Sequence, residues 1–119
     1  MSREELIKYV ASEYGIMPEF LWDGDKITCT FRHLGTKKWF GILMAVPGNK
    51  IGLKNDKPVD IINVKLEPEF IQELSSSKKH QIFPAWHMNK KHWVTILLGK
   101  NNDCALTQSL IHESFRLTN

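Results

Sequence analysis

The stretch Pro84-Ala85-Trp86-His87-Met88-Asn89-Lys90-Lys91-His92-Trp93-Val94-Thr95-Ile96-Leu97-Leu98 decides how this chain is read. In its second half Val94, Ile96 and Leu98 alternate with Trp93, Thr95 and Leu97, the period-two pattern of a strand. Its first half packs two histidines, two lysines, an asparagine and a tryptophan into the residues leading to Trp93. Charged and aromatic side chains this dense beside a rigid element mark a surface with a task.

Upstream, the chain reads as a meander. Ile27, Cys29 and Phe31 alternate with Thr28, Thr30 and Arg32, predicting a strand with one polar face. Gly35 marks a turn, and the apolar run from Trp39 to Val46 suits a central strand covered on both faces. Pro47-Gly48-Asn49 turns again, Ile51 and Leu53 suggest a short strand, and Val59 to Lys65 makes another, with Asp60 and Asn63 interrupting it. Asp60 fits an edge strand or a turn-adjacent position. Such short connections favour antiparallel neighbours.

Helices flank and interrupt the meander. Ser2 and Glu5 form a capping box before Leu6, Ile7, Val10, Ala11 and Tyr14, so a helix is expected over about residues 3–14, ended by Gly15 and Pro18. Phe20, Leu21 and Trp22 read as a plug over one end of the core. Pro68 opens a short helix over about residues 68–76, with Phe70, Ile71 and Leu74 inward, and Ser75 to Lys79 form a polar loop. Asp103 caps a last helix over about residues 104–117. The order is helix, three strands with a short fourth, helix, one strand or two, helix. This predicts a single two-layer α+β domain, with a mostly antiparallel sheet, helices on one face and the other face partly open.

The 119 residues suffice for one core, and 42% hydrophobic and 24% charged residues match a soluble globular chain. No run approaches the roughly 18 apolar residues of a membrane span. The acidic start, Met1-Ser2-Arg3-Glu4-Glu5, lacks the order of a signal peptide, so a cytoplasmic protein without membrane attachment is expected. Cys29 and Cys104 stand far apart, which speaks against a disulfide or zinc framework. The net charge of +3 permits an anionic partner without demanding one.

Several segments together resemble the MmcQ/YjbR family. They are Tyr14-Gly15 with Pro18-Glu19-Phe20-Leu21-Trp22, Arg32-His33 with Lys38-Trp39-Phe40, Ile61-Ile62-Asn63-Val64-Lys65 before Glu67-Pro68, and above all the run from Pro84 to Trp93. The resemblance covers nearly the whole chain. It implies a secretion-chaperone-like fold of order αβββαββα, and a DNA-binding role through similarity to double-wing domains. Phe115 stands where the family often has a tyrosine.

The residues support nucleic-acid chemistry in their own right. Lys90 and Lys91 can neutralise phosphates, and His87, Asn89 and His92 can donate to phosphates or base edges. Trp86 or Trp93 can stack on an unpaired base. Lys37, Lys38, Lys54 and Lys57 sit in turns that can flank such a site. The competing structural roles are Trp93 and Met88 in the core, Asn89 capping a turn, and solvated lysines. No helix-turn-helix, zinc-finger or phosphate-loop spacing is present. His87 and His92 are five apart, which does not align them on one helix face, and His33, His80 and His112 can join them only through the fold, so neither metal nor cofactor is expected. Cys104 opens a helix, yet neither base nor oxyanion site accompanies it, and no enzymatic activity is expected. The candidate interface is therefore His87, Asn89, Lys90, Lys91, His92 and Trp93 with Lys37, Lys38 and Lys54, and the candidate partner is DNA. The alternative is a protein-interaction module using an open sheet face, with Trp39, Phe40 and Trp93 as anchors, in a monomer or weak dimer.

Overall fold

The computed structural model describes residues 1–77 and 81–119. Helix α1 (Arg3–Tyr14) begins at the expected capping box: the Ser2 hydroxyl accepts from the Glu5 amide at 3.2 Å, and the Glu5 carboxylate accepts from the Ser2 amide at 3.0 Å. It ends where Gly15, at φ 68°, turns left-handed and donates its amide to Ala11. Strands β1 (Glu19–Phe20), β2 (Cys29–Arg32), β3 (Trp39–Pro47) and β4 (Pro58–Lys65) follow. Next come α2 (Pro68–Ser76), β5 (Ile82–Pro84), β6 (Trp93–Leu97) and α3 (Cys104–Thr118), the last capped by Asp103.

The strands form one six-stranded sheet in the order β1-β2-β3-β4-β6-β5, with every neighbouring pair antiparallel. Period-two alternation splits the sheet residues between two faces. Cys29, Phe31, Leu43, Ile62, Val64, Val94 and Ile96 pack against Leu6 and Val10 of α1, Leu74 of α2, and Leu110 and Ile111 of α3. All three helices thus lie on one face of an α+β domain.

Ser114 of α3 stitches the two layers together. Its hydroxyl donates to the Phe40 carbonyl at 2.6 Å and accepts from the Lys65 amide at 2.9 Å. It fills the gap where the β3–β4 pairing stops at Ile42 and Asn63. On the opposite face Val46, Ile51 and Ile61 form a second, smaller cluster with Met44, Leu53, Val59, Phe83, Trp86 and Leu97.

Several expectations need correction. Ile51 and Leu53 form no strand: Gly48–Ile51 is a 3-10 turn, and a Cβ on Gly48 would meet the Asn55 carbonyl at 2.9 Å, so this close approach needs glycine. The two strands β5 and β6 lie between α2 and α3, as the family resemblance implied, but the two-residue β1 precedes the three strands that it placed before α2. Phe20 and Trp22 do not plug the core; they are 46% and 60% exposed, and Ile27 lies outside β2 at 51%. The polar face of β2 is not solvated, since Thr30 is fully buried. Asp60 belongs to interior strand β4, not an edge, and faces the helical layer, where Arg3 Nε meets its carboxylate at 3.2 Å. The face away from the helices is less open than expected: Ile42, Ile61, Asn63 and Thr95 are all buried there. Of the expected loop from Ser75 to Lys79, Ser75 and Ser76 close α2, and Lys78 and Lys79 lie outside the described residues.

Candidate nucleic-acid interface

The segment between β5 and β6 does not simply turn. Asn63 and Thr95 are cross-strand partners on the face away from the helices. Thr95 Oγ1 donates to Asn63 Oδ1 and accepts from the Trp86 amide at 2.9 Å, while Asn63 Nδ2 donates to the Trp86 carbonyl at 3.1 Å. Three hydrogen bonds close a ring and satisfy both backbone groups of Trp86, which lays its indole over the sheet with the second apolar cluster. The interruption of β4 by Asn63 is therefore the device that docks this segment.

From there the chain returns along the outside. His87 is exposed, takes the left-handed conformation at φ 57°, and sets its ring edge-to-face against Trp86 at 4.3 Å. Asn89 caps the turn: its side-chain oxygen accepts from the Lys91 amide at 2.8 Å, and its carbonyl accepts from the amides of His92 and Trp93. The His92 carbonyl takes the Leu66 amide at 2.9 Å, which anchors the segment beside the end of β4. Lys90 and Lys91 are left exposed at this end of the sheet.

The β2–β3 hairpin reaches the same end. β3 starts there at Trp39, β4 finishes there at Lys65, and β6 starts there opposite Lys65 at Trp93. Alternation from the buried Asn63 and Thr95 puts Lys65 and Trp93 on the outer face. Arg32 stands 5.9 Å from the centroid of the Trp39 ring, and Arg32 and Trp39 are cross-strand partners. Neither Trp39 nor Trp93 joins either apolar cluster, and both are half-buried. Lys37 and Lys38 cap the hairpin, with Lys37 held left-handed at φ 65°.

Six cations therefore converge on one end of the sheet: Arg32, Lys37, Lys38, Lys65, Lys90 and Lys91. Arg32 Nε lies 3.3 Å from the Glu19 carboxylate, and none of the five lysines forms an ion pair among the described residues. Glu67 follows the Lys65 strand end in sequence. Lys54 does not join this group. It follows the far end of β3, whose nine residues span ~26 Å, and Lys57 lies there too.

Arg32 and Lys65 were missed as site residues by sequence reasoning. Each is brought to the site by pairing across strands with a tryptophan, which no spacing along the chain encodes. Phe40 cannot serve as a binding anchor, being 1% exposed in the main core.

Other chemistry-bearing groups are engaged elsewhere. His33 is buried between the rings of Phe40 and Phe115, and its Nε2 lies 2.8 Å from Thr118 Oγ1. Burial holds its imidazole below the ordinary histidine value. His112 Nδ1 meets the Tyr14 hydroxyl at 3.3 Å, and burial raises the Tyr14 phenol above its usual range. Phe115 stacks on Tyr14 at 4.3 Å. His80 lies outside the described residues. Among the described residues no three His, Cys, Asp or Glu side chains group as a metal site would require. Cys29 is fully buried, which pushes its thiol up, and Cys104 is exposed. A cleft of about 630 Å³ lies at the end of the sheet opposite the basic group, beside Gln81, Asn102 and Asp103. These polar groups satisfy one another: Gln81 accepts from the Asp103 amide and donates to Thr107, and Asn102 donates to the Leu97 carbonyl. No helix among the described residues is long and apolar enough to cross a membrane.

Comparison with known proteins gives the site its context. The model of the YjbR family matches residues 12–117. The chain is 35% identical to YyaQ of Bacillus subtilis over 118 residues, covering 99% of this chain and 98% of that protein. It is 36% identical to YbdF of Escherichia coli O157:H7 over 63 residues, covering 50% of this chain and 48% of that one. A crystal structure of a Pseudomonas syringae protein, 40% identical, superimposes with a TM-score of 0.93 over 100% of both chains. A Deinococcus radiodurans protein shares the fold at 23% identity, with a TM-score of 0.71 over 98% of this chain and 77% of that one.

Proposed function

This chain belongs to the YjbR family, and on that footing we propose that it is a DNA-binding protein that catalyses no reaction. The observation that carries the reading is the convergence of Lys37, Lys38, Lys65, Lys90 and Lys91, none of them neutralised by an ion pair among the described residues, around Arg32 at one end of the sheet. Two loops from different parts of the chain supply Lys37, Lys38, Lys90 and Lys91, strand ends supply Arg32 and Lys65, and a ring of buried hydrogen bonds fixes one of the loops. Rigid loops bearing unpaired cations suit a phosphate backbone, which presents charge at regular spacing.

The test is fluorescence anisotropy with labelled DNA at roughly 50 and 200 mM salt. With about four phosphates contacted, affinity falls by roughly two orders of magnitude across that range. A Lys90→Ala/Lys91→Ala variant weakens binding and flattens the slope. Equal binding by that variant removes the reading.

A second reading is a protein-interaction module, and its surface is the β1–β2 edge rather than an open sheet face. All the large exposed apolar side chains among the described residues, Met17, Phe20, Trp22, Ile27 and Leu34, fall between positions 17 and 34. Sedimentation of the chain alone checks for self-association there, and a Phe20→Ser/Leu34→Ser variant that leaves every association intact removes it.

A further inference from the structure

The basic end of the sheet is not uniformly basic, and its aromatic residues bear on which form of DNA it takes. Trp39 and Trp93 lie on β3 and β6, either side of β4, so their backbones stand ~10 Å apart on the outer face. Each has a cation as its cross-strand partner, Arg32 beside Trp39 and Lys65 beside Trp93. Each indole is only partly buried and lies outside both apolar clusters. Two of them at equivalent positions on one face, alternating with positive charge, form a platform of stacking surfaces and phosphate partners.

We infer that this platform binds single-stranded DNA, with unpaired bases stacked on Trp39 and Trp93 and the backbone held by Arg32 and Lys65. The inference rests on the DNA-binding reading above and specifies the form of DNA. A duplex presents its bases edge-on inside grooves, where an indole on a sheet face finds no π-face to cover. An unpaired strand offers every base face, and stacking tolerates sequence. The guanidinium of Arg32, 5.9 Å from the Trp39 ring centroid, extends that stack with a planar cation. Trp86 takes no part, because it is packed into the second apolar cluster. Lys37 and Lys38 on one side and Lys90 and Lys91 on the other track the strand as it leaves the platform. The Glu19 carboxylate is engaged with Arg32.

The experiment compares three labelled probes of equal length at matched salt: a single strand of thymidylate, the corresponding duplex, and an abasic single strand that keeps only sugar and phosphate. Wild-type protein binds the thymidylate strand most tightly, and its tryptophan fluorescence is quenched. Trp39→Ala and Trp93→Ala each lower affinity for the thymidylate strand roughly five- to hundredfold, and leave affinity for the abasic strand unchanged. Trp93→Phe, which keeps a stacking face, retains most of the affinity and guards against a mere folding defect, and circular dichroism checks each variant.

Duplex binding as tight as single-strand binding, with the tryptophan variants neutral and the lysine variant weakened, overturns the inference and leaves the DNA-binding reading standing. No binding of any probe at roughly 50 mM salt overturns both. Tighter binding of a uridylate strand than of the thymidylate strand overturns the assignment to DNA.

Discussion

Replacing Thr95 by valine tests the central device of the site. The two side chains have nearly the same shape, so packing is conserved while one hydroxyl is lost. In the native protein that hydroxyl donates to Asn63 Oδ1 and accepts from the Trp86 amide at 2.9 Å. Both Thr95 and Asn63 are 0% exposed. The variant leaves an amide without an acceptor and a carboxamide oxygen without a donor, each costing about 1–3 kcal/mol. The added methyl recovers a fraction of this by apolar burial. A net loss of about 2–4 kcal/mol follows, which for a chain of this length lowers the melting temperature by about 8–16 °C. Calorimetry and urea titration measure it. The loop that carries Lys90 and Lys91 is also released from the sheet, so DNA affinity drops at temperatures where the variant is still folded. A melting temperature within about 2 °C of wild type refutes the argument that the ring of hydrogen bonds holds the segment in place.

Three further outcomes follow from the same structure. Ser114→Ala removes the bridge between the Phe40 carbonyl and the Lys65 amide, so urea titration reads a loss of about 1–3 kcal/mol and the Lys65 amide exchanges faster. Thr118 Oγ1 donates to the Ser114 carbonyl at 2.7 Å, so it accepts from His33 Nε2–H, and burial disfavours the charged ring. Its folded pKa lies below the unfolded value of about 6.5, so the unfolded chain binds the proton first. The His33 contribution is complete above about pH 6.5 and declines as pH falls from there toward the folded value; His33→Gln flattens the melting-temperature profile over that window. Lys37→Asn places a residue that tolerates left-handed backbone at φ 65° while removing a charge, so stability holds, DNA affinity drops, and the salt slope measured on a single strand shrinks by about 0.7.

Much of the architecture was legible in local patterns. The capping box of α1, the left-handed Gly15, the proline start of α2 and the Asp103 cap of α3 are contacts within a few residues, which sequence spacing specifies directly. The alternation of Val94, Thr95 and Ile96 likewise marks β6 and its two faces. Local pattern failed where long-range packing overrode it. Ile51 and Leu53 alternate like a strand, but the tight turn at Gly48 brings Asn55 too close for an extended chain. Thr30 reads as solvent-facing, and the sheet buries it all the same.

The candidate site divides the same way. Sequence alone determined that the segment from His87 to Trp93 is dense in cations and aromatics and runs into a strand, because composition and period two are local properties. Only the tertiary structure decided which charges act together. Strand direction and register carry Lys37 and Lys38 to the same end as Lys90 and Lys91, and put Lys54 at the other end of β3. The same register adds Arg32 and Lys65 beside their tryptophans and withdraws Phe40 into the core. A side chain's partners across a sheet are set by pairing between distant segments, and no spacing along the chain encodes that pairing.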